Sequence, residues 1–425
     1  MNTQMPTILI HAGGKNSRFF PINTETHKGF ISLLGIPLVV RALQNLQKHG
    51  FTKIILVVSA KDMDGNGLSK ILPEYNLDLD ITWVLQPEAE GQGHALLVAA
   101  DKVETHFISM SPYYTQAGKL AEKLWNTQQA TQSECVLLGT KVDTPSLYGM
   151  LEFNQDDASQ VIGIVEKPIE NAPSDYKVNS IYLLSKDFLT HLSQVPQEEY
   201  SLEAALTEYT QNHAVSWIEN TENLPSLKYA WHLFSMQKYL FSEISTHISS
   251  EATIAKTAII DDSDGPVSIE KGARIGDFVK IVGPCYVGQN SLVGDYSFVR
   301  QSSIEANASV GAKTEVVRSI ILEGASVHSG YVADSILGQG VKVGAGLITA
   351  NKRFDRKNVQ TLLKDKLVDV GSNTQGVIVG AHSHLGIGTK TMPGILIGAK
   401  NKIAPGSVVQ KNVPHNEETS SVLKE

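Results

Sequence analysis

At 425 residues, with 42% hydrophobic and 19% charged side chains, the chain is long enough to build two separate cores. A net charge of −8 argues against a nucleic-acid binder, which would carry a basic excess. No signal peptide and no apolar run long enough to span a bilayer is evident, so a cytoplasmic protein with no membrane and no nucleic-acid partner is expected, its two cysteines, Cys135 and Cys285, serving as small core residues.

In chain order, residues 7–11 form a short β-branched run, residues 38–49 a helix-like stretch and residues 53–59 a fully apolar run. That is a βαβ unit, and a parallel sheet covered on both faces follows from it. Leu233, Phe234, Met236, Leu240 and Phe241 then recur at helical spacing, after which the texture of the sequence changes. The expected division is an α/β domain over residues 1–230, a connecting helix over 231–250 and a repeat domain over 251–425.

From about Ala252 the chain runs in six-residue units, an aliphatic residue followed by a small or polar one: Ala273-Arg274-Ile275-Gly276, Cys285-Tyr286-Val287-Gly288, Ser291-Leu292-Val293-Gly294. Further copies stand at Val341-Lys342-Val343-Gly344, Val377-Ile378-Val379-Gly380 and Ile395-Leu396-Ile397-Gly398, with an insertion over 351–373. One unit suits each flat side of a triangular solenoid, the aliphatic residue pointing to the axis and the small residue turning the corner. The expectation is a left-handed parallel β-helix. Proteins of that class commonly associate as trimers, and a purely structural or oligomerising solenoid is equally compatible with the repeat.

The first strand runs into Ala12-Gly13-Gly14-Lys15-Asn16-Ser17-Arg18, a glycine-rich turn whose backbone N–H groups can cradle phosphates. With Ser17-Arg18 and His27-Lys28 it resembles the signature of sugar-1-phosphate nucleotidylyltransferases, which also implies a Rossmann-like fold for this half. The resemblance implies that Ala12, Gly13 and Gly14 meet the nucleotide, Arg18 the pyrophosphate, and Lys28 the α-phosphate and sugar phosphate. The reaction would be in-line attack by a sugar-phosphate oxygen on the α-phosphorus of a nucleoside triphosphate.

The stretch from Gln86 through Gly91 to Ala95 is similar to the base-reading segment of that family, and Gly149, Glu166 and Asn179 fall on its sugar contacts. Mg²⁺ is the family's metal, but Tyr113 and Ser226 stand where the resemblance places its acidic ligands. Asn16 likewise replaces a glycine of the phosphate turn.

In the repeat domain, Ser326-Val327-His328-Ser329-Gly330-Tyr331 and Ile348-Thr349-Ala350-Asn351 resemble the active coils of bifunctional N-acetylglucosamine-1-phosphate uridylyltransferase/glucosamine-1-phosphate acetyltransferases of archaeal type. By that resemblance acetyl-CoA is the acyl donor, His328 the general base, and Arg300, Tyr331 and Asn351 the sugar contacts. The basic run 352–357 would meet coenzyme A phosphates, while Val317 and Lys342 depart from the pattern. His382 and His384 read as solvated or intersubunit polar residues rather than a metal site. Three functional readings remain: a sugar-nucleotide enzyme, an oligomeric scaffold or regulatory subunit that binds sugar nucleotide without turning it over, or a chain in which only the β-helix is active, as an acyltransferase on a different sugar.

Overall fold

The structure, a computed structural model, describes residues 5–22, 24, 27–63, 68–196, 200–222 and 224–419. The chain divides into two compact units: Met1–Lys15 with Pro37–Leu224, and Asn16–Ile36 with Pro225–Glu425. The sequence division left residues 16–36 with the α/β half, whereas their contacts place them in the second unit.

In the first unit, the apolar runs become β1 (Thr7–Ala12) and β2 (Lys53–Val58), with five of six residues buried in each, as strands covered on both faces require. They are followed by β3 (Asp80–Leu85), β4 (His106–Met110), β5 (Cys135–Lys141), β6 (Gly149–Phe153), β7 (Val161–Glu166), β8 (Tyr176–Ser185) and β9 (Val215–Glu219). The main sheet runs in the order β9-β5-β8-β4-β1-β2-β3, with β6 and β7 attached beside β8. Helix α1 (Leu38–Lys48) makes the first crossover and buries Leu38, Val39, Val40, Ala42, Leu43 and Leu46.

The sheet is not wholly parallel, and this corrects the expectation. β8 lies antiparallel to both β4 and β5, and β6 pairs antiparallel with β7. β6 thus runs opposite to both β7 and β8, and the β6–β8 stretch carries no crossover helix, the connection that parallel neighbours need.

Among the described residues, the second unit carries the repeat as three parallel sheets of eight, nine and eight strands. Along one sheet the inward column runs Ile275, Val293, Val310, Val327, Val343, Leu385, Ile403, each paired with the next and all buried. This is the left-handed hexapeptide β-helix expected from the period: identical positions stack, so each aliphatic side chain packs on its copy one coil away. The step from Val343 to Leu385 is longer because residues 351–373 are extruded, with a hairpin of strands Gln360–Leu363 and Lys366–Asp369.

Residues 16–36 belong to this unit through specific bonds. The backbone N–H groups of Leu34 and Gly35 each donate to the carboxylate of Glu305, both at 2.9 Å, and Glu305 is only 1% exposed. Gly35 has φ of +76°, and a Cβ there would fall 2.1 Å from the Tyr286 hydroxyl, so glycine is required on both counts. Helix α2 (His232–Ser242) packs in the same unit, its buried Gln237 donating to the carbonyl of Ser319 at 3.4 Å. No helix among the described residues is long and apolar enough to cross a membrane.

Candidate functional site

Three adjacent parallel strands end together in the first unit, since Ala12 pairs with Val58 and Val58 with Leu85. The residues just beyond them, Gly13 and Gln86, are consequently neighbours. A Cβ on Gly13 would lie 2.1 Å from Gln86 Oε1 and 2.8 Å from its Cβ, so only glycine lets Gln86 lie against this backbone. Gln86 is buried, and its Nε2 donates to the carbonyl of Gly91 at 3.2 Å. Gly91, with φ of +102°, opens the short helix Gln92–Leu97. Gly14 is exposed, and a Cβ there would meet nothing within 4 Å, so the structure gives it no steric reason to be glycine.

The sugar-side residues also converge. Gly149 pairs with Glu166 across β6 and β7, and a Cβ on Gly149 would stand 2.8 Å from Glu166 Oε2 and 3.4 Å from Val178 Cγ1. Asn179, next to Val178 at the irregularity of β8, is buried and accepts from Thr140 Oγ1 at 2.8 Å. Glu166 is paired with Lys167 at 2.6 Å, and Lys167 donates to the Tyr200 hydroxyl at 2.7 Å.

The metal positions do not suit Mg²⁺. Tyr113 is buried, and desolvation pushes its phenol above its ordinary pKa although a hydrogen bond with Ser111 opposes this, so it offers a neutral oxygen. Ser226 contributes its carbonyl to His232 Nδ1 at 2.9 Å and has no carboxylate to offer. Among the described residues no group of three or more His, Cys, Asp or Glu is disposed to hold a metal, so neither this pair nor His382 with His384 has the carboxylate-rich set a hard cation needs. Accordingly no catalytic step is assigned to Mg²⁺ here.

In the second unit Arg18 and Lys28 act on each other electrostatically. Burial first, then the charge of Arg18, lowers the Lys28 pKa to about 8, and its Nζ donates to the Leu227 carbonyl at 2.6 Å. Asn16 adopts the left-handed conformation, φ 50° and ψ 33°, ahead of the single turn Ser17–Phe19 that carries Arg18. Asparagine tolerates this conformation, which accounts for its taking a glycine position.

The residues that the resemblance assigned to acyl transfer fall on one sheet and its two corners. Inward Val299, Val316 and Val332 are buried and stacked, so Arg300 and Tyr331 both face outward, two coils apart. His328 sits exposed at the corner before strand Gly330–Ala333, its backbone N–H bonded to Val343. Arg300 Nε is buried without a hydrogen-bond partner.

Asn351 lies one coil further on, after strand Leu347–Thr349, and donates to Asp334, which follows Gly330–Ala333 at the same corner. Asp334 is the hub there: Arg318 Nε and Nη2 each donate to it at 2.7 Å and Thr374 Oγ1 at 3.2 Å. Asn351 therefore sits with Asp334 rather than beside His328. Sequence reasoning passed over both Asp334 and Glu305, and no local pattern marks either. In the basic run, Arg353 pairs with Asp355 at 2.7 Å and holds its carboxyl well below the usual range, while Phe354 is fully exposed.

Open α/β sheets take up ligands in the crevice beyond the carboxyl ends of their parallel strands, and glycine backbone at that point suits a phosphate. The first unit is a nucleotide-binding α/β fold of this kind, and the second is a hexapeptide β-helix. Residues 7–232 match the model of the nucleotidyl transferase family. A bifunctional sugar-1-phosphate nucleotidylyltransferase/acetyltransferase of Sulfurisphaera tokodaii is 30% identical over 419 residues, covering 96% of this chain and 98% of that protein. A bifunctional protein GlmU of Methanococcus maripaludis is 29% identical over 422 residues, covering 98% and 97%. The crystal structure of an apo UDP-glucose pyrophosphorylase superposes with a TM-score of 0.50 at 17% identity, covering 56% of this chain and 99% of that one, which supports the α/β fold alone. The chain belongs to the nucleotidyl transferase family.

Proposed function

We propose that the protein is a sugar-1-phosphate nucleotidylyltransferase whose β-helix carries an acetyl-CoA-dependent acetyltransferase site for an amino-sugar phosphate. The observation that carries the nucleotidyl assignment is the pairing of Gly13 with Gln86 at the strand ends, in a chain that aligns over nearly its whole length with the bifunctional relative. Gln86, Gly91 and the Ala12-Gly13-Gly14 turn take the nucleotide, and Gly149, Glu166 and Asn179 the sugar hydroxyls. Arg18 and Lys28 supply positive charge for the phosphates. A sugar-phosphate oxygen bonds to the α-phosphorus as the bond to pyrophosphate breaks.

In the β-helix, an acceptor amine bonds to the thioester carbonyl carbon and the C–S bond breaks. His328 takes the amine proton, and the coenzyme leaves as its thiol after protonation. Arg300, Tyr331 and Asn351 contact the acceptor. A homotrimer in the cytoplasm, with residues 1–230 and 251–425 as functional domains joined through 231–250, completes the reading.

A second reading, binding of sugar nucleotide without turnover by a scaffold or regulatory subunit, draws on Tyr113, a buried neutral phenol at a carboxylate position. One pair of assays on the same sample separates the two. Pyrophosphate release from nucleoside triphosphates with sugar-1-phosphates, lost on Lys28→Ala, and free thiol release from acetyl-CoA with amino-sugar phosphates, lost on His328→Ala, support the bifunctional enzyme. Silence in both favours the scaffold.

A further inference from the structure

A groove of about 690 Å³ lies within the second unit, well inside the range of small-molecule sites, roughly 300–1,000 Å³. One wall is helix α2, through Phe234, Ser235 and Lys238, and the other is the β-helix corner that carries Arg318 and Asp334, with residues 370–372 and 374–375 along its rim. None of the residues assigned above to nucleotide, sugar or acyl transfer lines it. His328 and Asp334 flank opposite ends of the four-residue strand Gly330–Ala333, and the six residue steps between them, at about 3.3 Å per residue, set the groove up to roughly 20 Å from the histidine corner.

We propose that this groove binds an uncharged sugar. Gln375 lines it and is 2% exposed, yet its Nε2 has no hydrogen-bond partner. The backbone of Gln375 is held on both sides, its N–H bonded to the carbonyl of Asn351 and its carbonyl to the N–H of Gly394, which fixes the point from which the side chain leaves the chain. A buried amide left unmet costs about 1–3 kcal/mol, and an oxygen from a ligand in the groove removes that cost.

The charge pattern selects the ligand class. The lining carries two cations, Lys238 and Arg318, and two carboxylates, Asp264 and Asp334, and the Arg318 guanidinium is engaged bidentately by Asp334. Nothing there draws in an anion. What remains is the amides of Gln301 and Gln375, which can donate to a ligand's hydroxyl groups, and the hydroxyls of Ser372 and Thr374, which are bonded to one another and, through Thr374, to Asp334, and keep lone pairs to accept from them. The ring of Phe234 offers an apolar surface for the carbon face of a sugar. The proposal stands independently of either catalytic assignment.

Saturation-transfer NMR on the full chain, with neutral hexoses and N-acetylhexosamines and in parallel their 1-phosphates, tests it. Two variants accompany wild type: Gln375→Leu, which removes the donor at similar volume, and Ser235→Trp, which fills the groove from an exposed helix position. The expected result is transfer to a neutral sugar, weakened at least about tenfold by Gln375→Leu and abolished by Ser235→Trp, with the melting temperature of Ser235→Trp near that of wild type. The absence of transfer to any neutral sugar would overturn the proposal. So would transfer unaffected by both variants, which would place the binding elsewhere, or displacement of the neutral sugar from the groove by its 1-phosphate.

Discussion

The backbone N–H of Gly35 is held 2.9 Å from a carboxylate oxygen of Glu305, a buried residue 270 positions further along the chain. Together with the matching bond from Leu34, this ties the segment bearing Arg18 and Lys28 into the β-helix. Glu305→Ala leaves two donors unmet and should cost about 1–3 kcal/mol of stability. Amide exchange at Leu34 and Gly35 should accelerate, and pyrophosphate release should fall with it. Glu305→Gln, which keeps one acceptor oxygen, should fall between.

The lowered pKa of Lys28 sets a pH dependence. Its ammonium is lost as pH rises through about 8, whereas in the unfolded chain it persists to about 10.5. Between those values the unfolded chain binds more protons, so the penalty of burying this charge is relieved and stability from this group rises with pH. Any activity that needs the ammonium moves the opposite way. Pyrophosphate release should decline above pH about 8, and Lys28→Arg should shift that decline upward if the longer side chain is accepted.

The β-helix was legible because its inward positions are mostly aliphatic and recur in phase, as Val293, Val310 and Val327 do. The glycine turn was legible because its glycines follow an apolar strand. Glu305 was not, since within its coil it reads as another polar residue, and only a distant segment gives its carboxylate partners. The reversal of β8 escaped for a similar reason: strand direction depends on the connection, and an apolar run reads alike both ways. Asn351 shows what a motif leaves out, for its amide donates to Asp334, a partner that no local pattern marks.

Gly13→Ala should be harmful out of proportion to one methyl group. The new Cβ would overlap both Oε1 and Cβ of Gln86, so the whole side chain must move. A stability loss of about 1–3 kcal/mol is expected from the overpacking. Discrimination among nucleoside triphosphates should weaken too, read as the ratio of kcat/KM values across bases, because the displaced glutamine no longer bonds to Gly91.

Asp334→Ala removes the acceptor of Arg318, Asn351 and Thr374 at once. Arg318 is about a third exposed, so water relieves part of the loss, and about 1–3 kcal/mol in thermal or denaturant unfolding is expected rather than the larger cost of a fully buried pair. Thiol release from acetyl-CoA should fall through a raised KM for the acceptor, since Asn351 loses its anchor while His328 at the opposite corner is untouched.

The most direct test of the nucleotidyl assignment follows the α-phosphate itself. With a nucleoside triphosphate labelled at that position and a sugar-1-phosphate as acceptor, label should pass into a nucleotide sugar at a rate cut on the order of a hundredfold or more by Lys28→Ala. Label that stays in the triphosphate across all bases and sugars, with folded wild-type protein, would contradict the account and leave the first unit a binding domain.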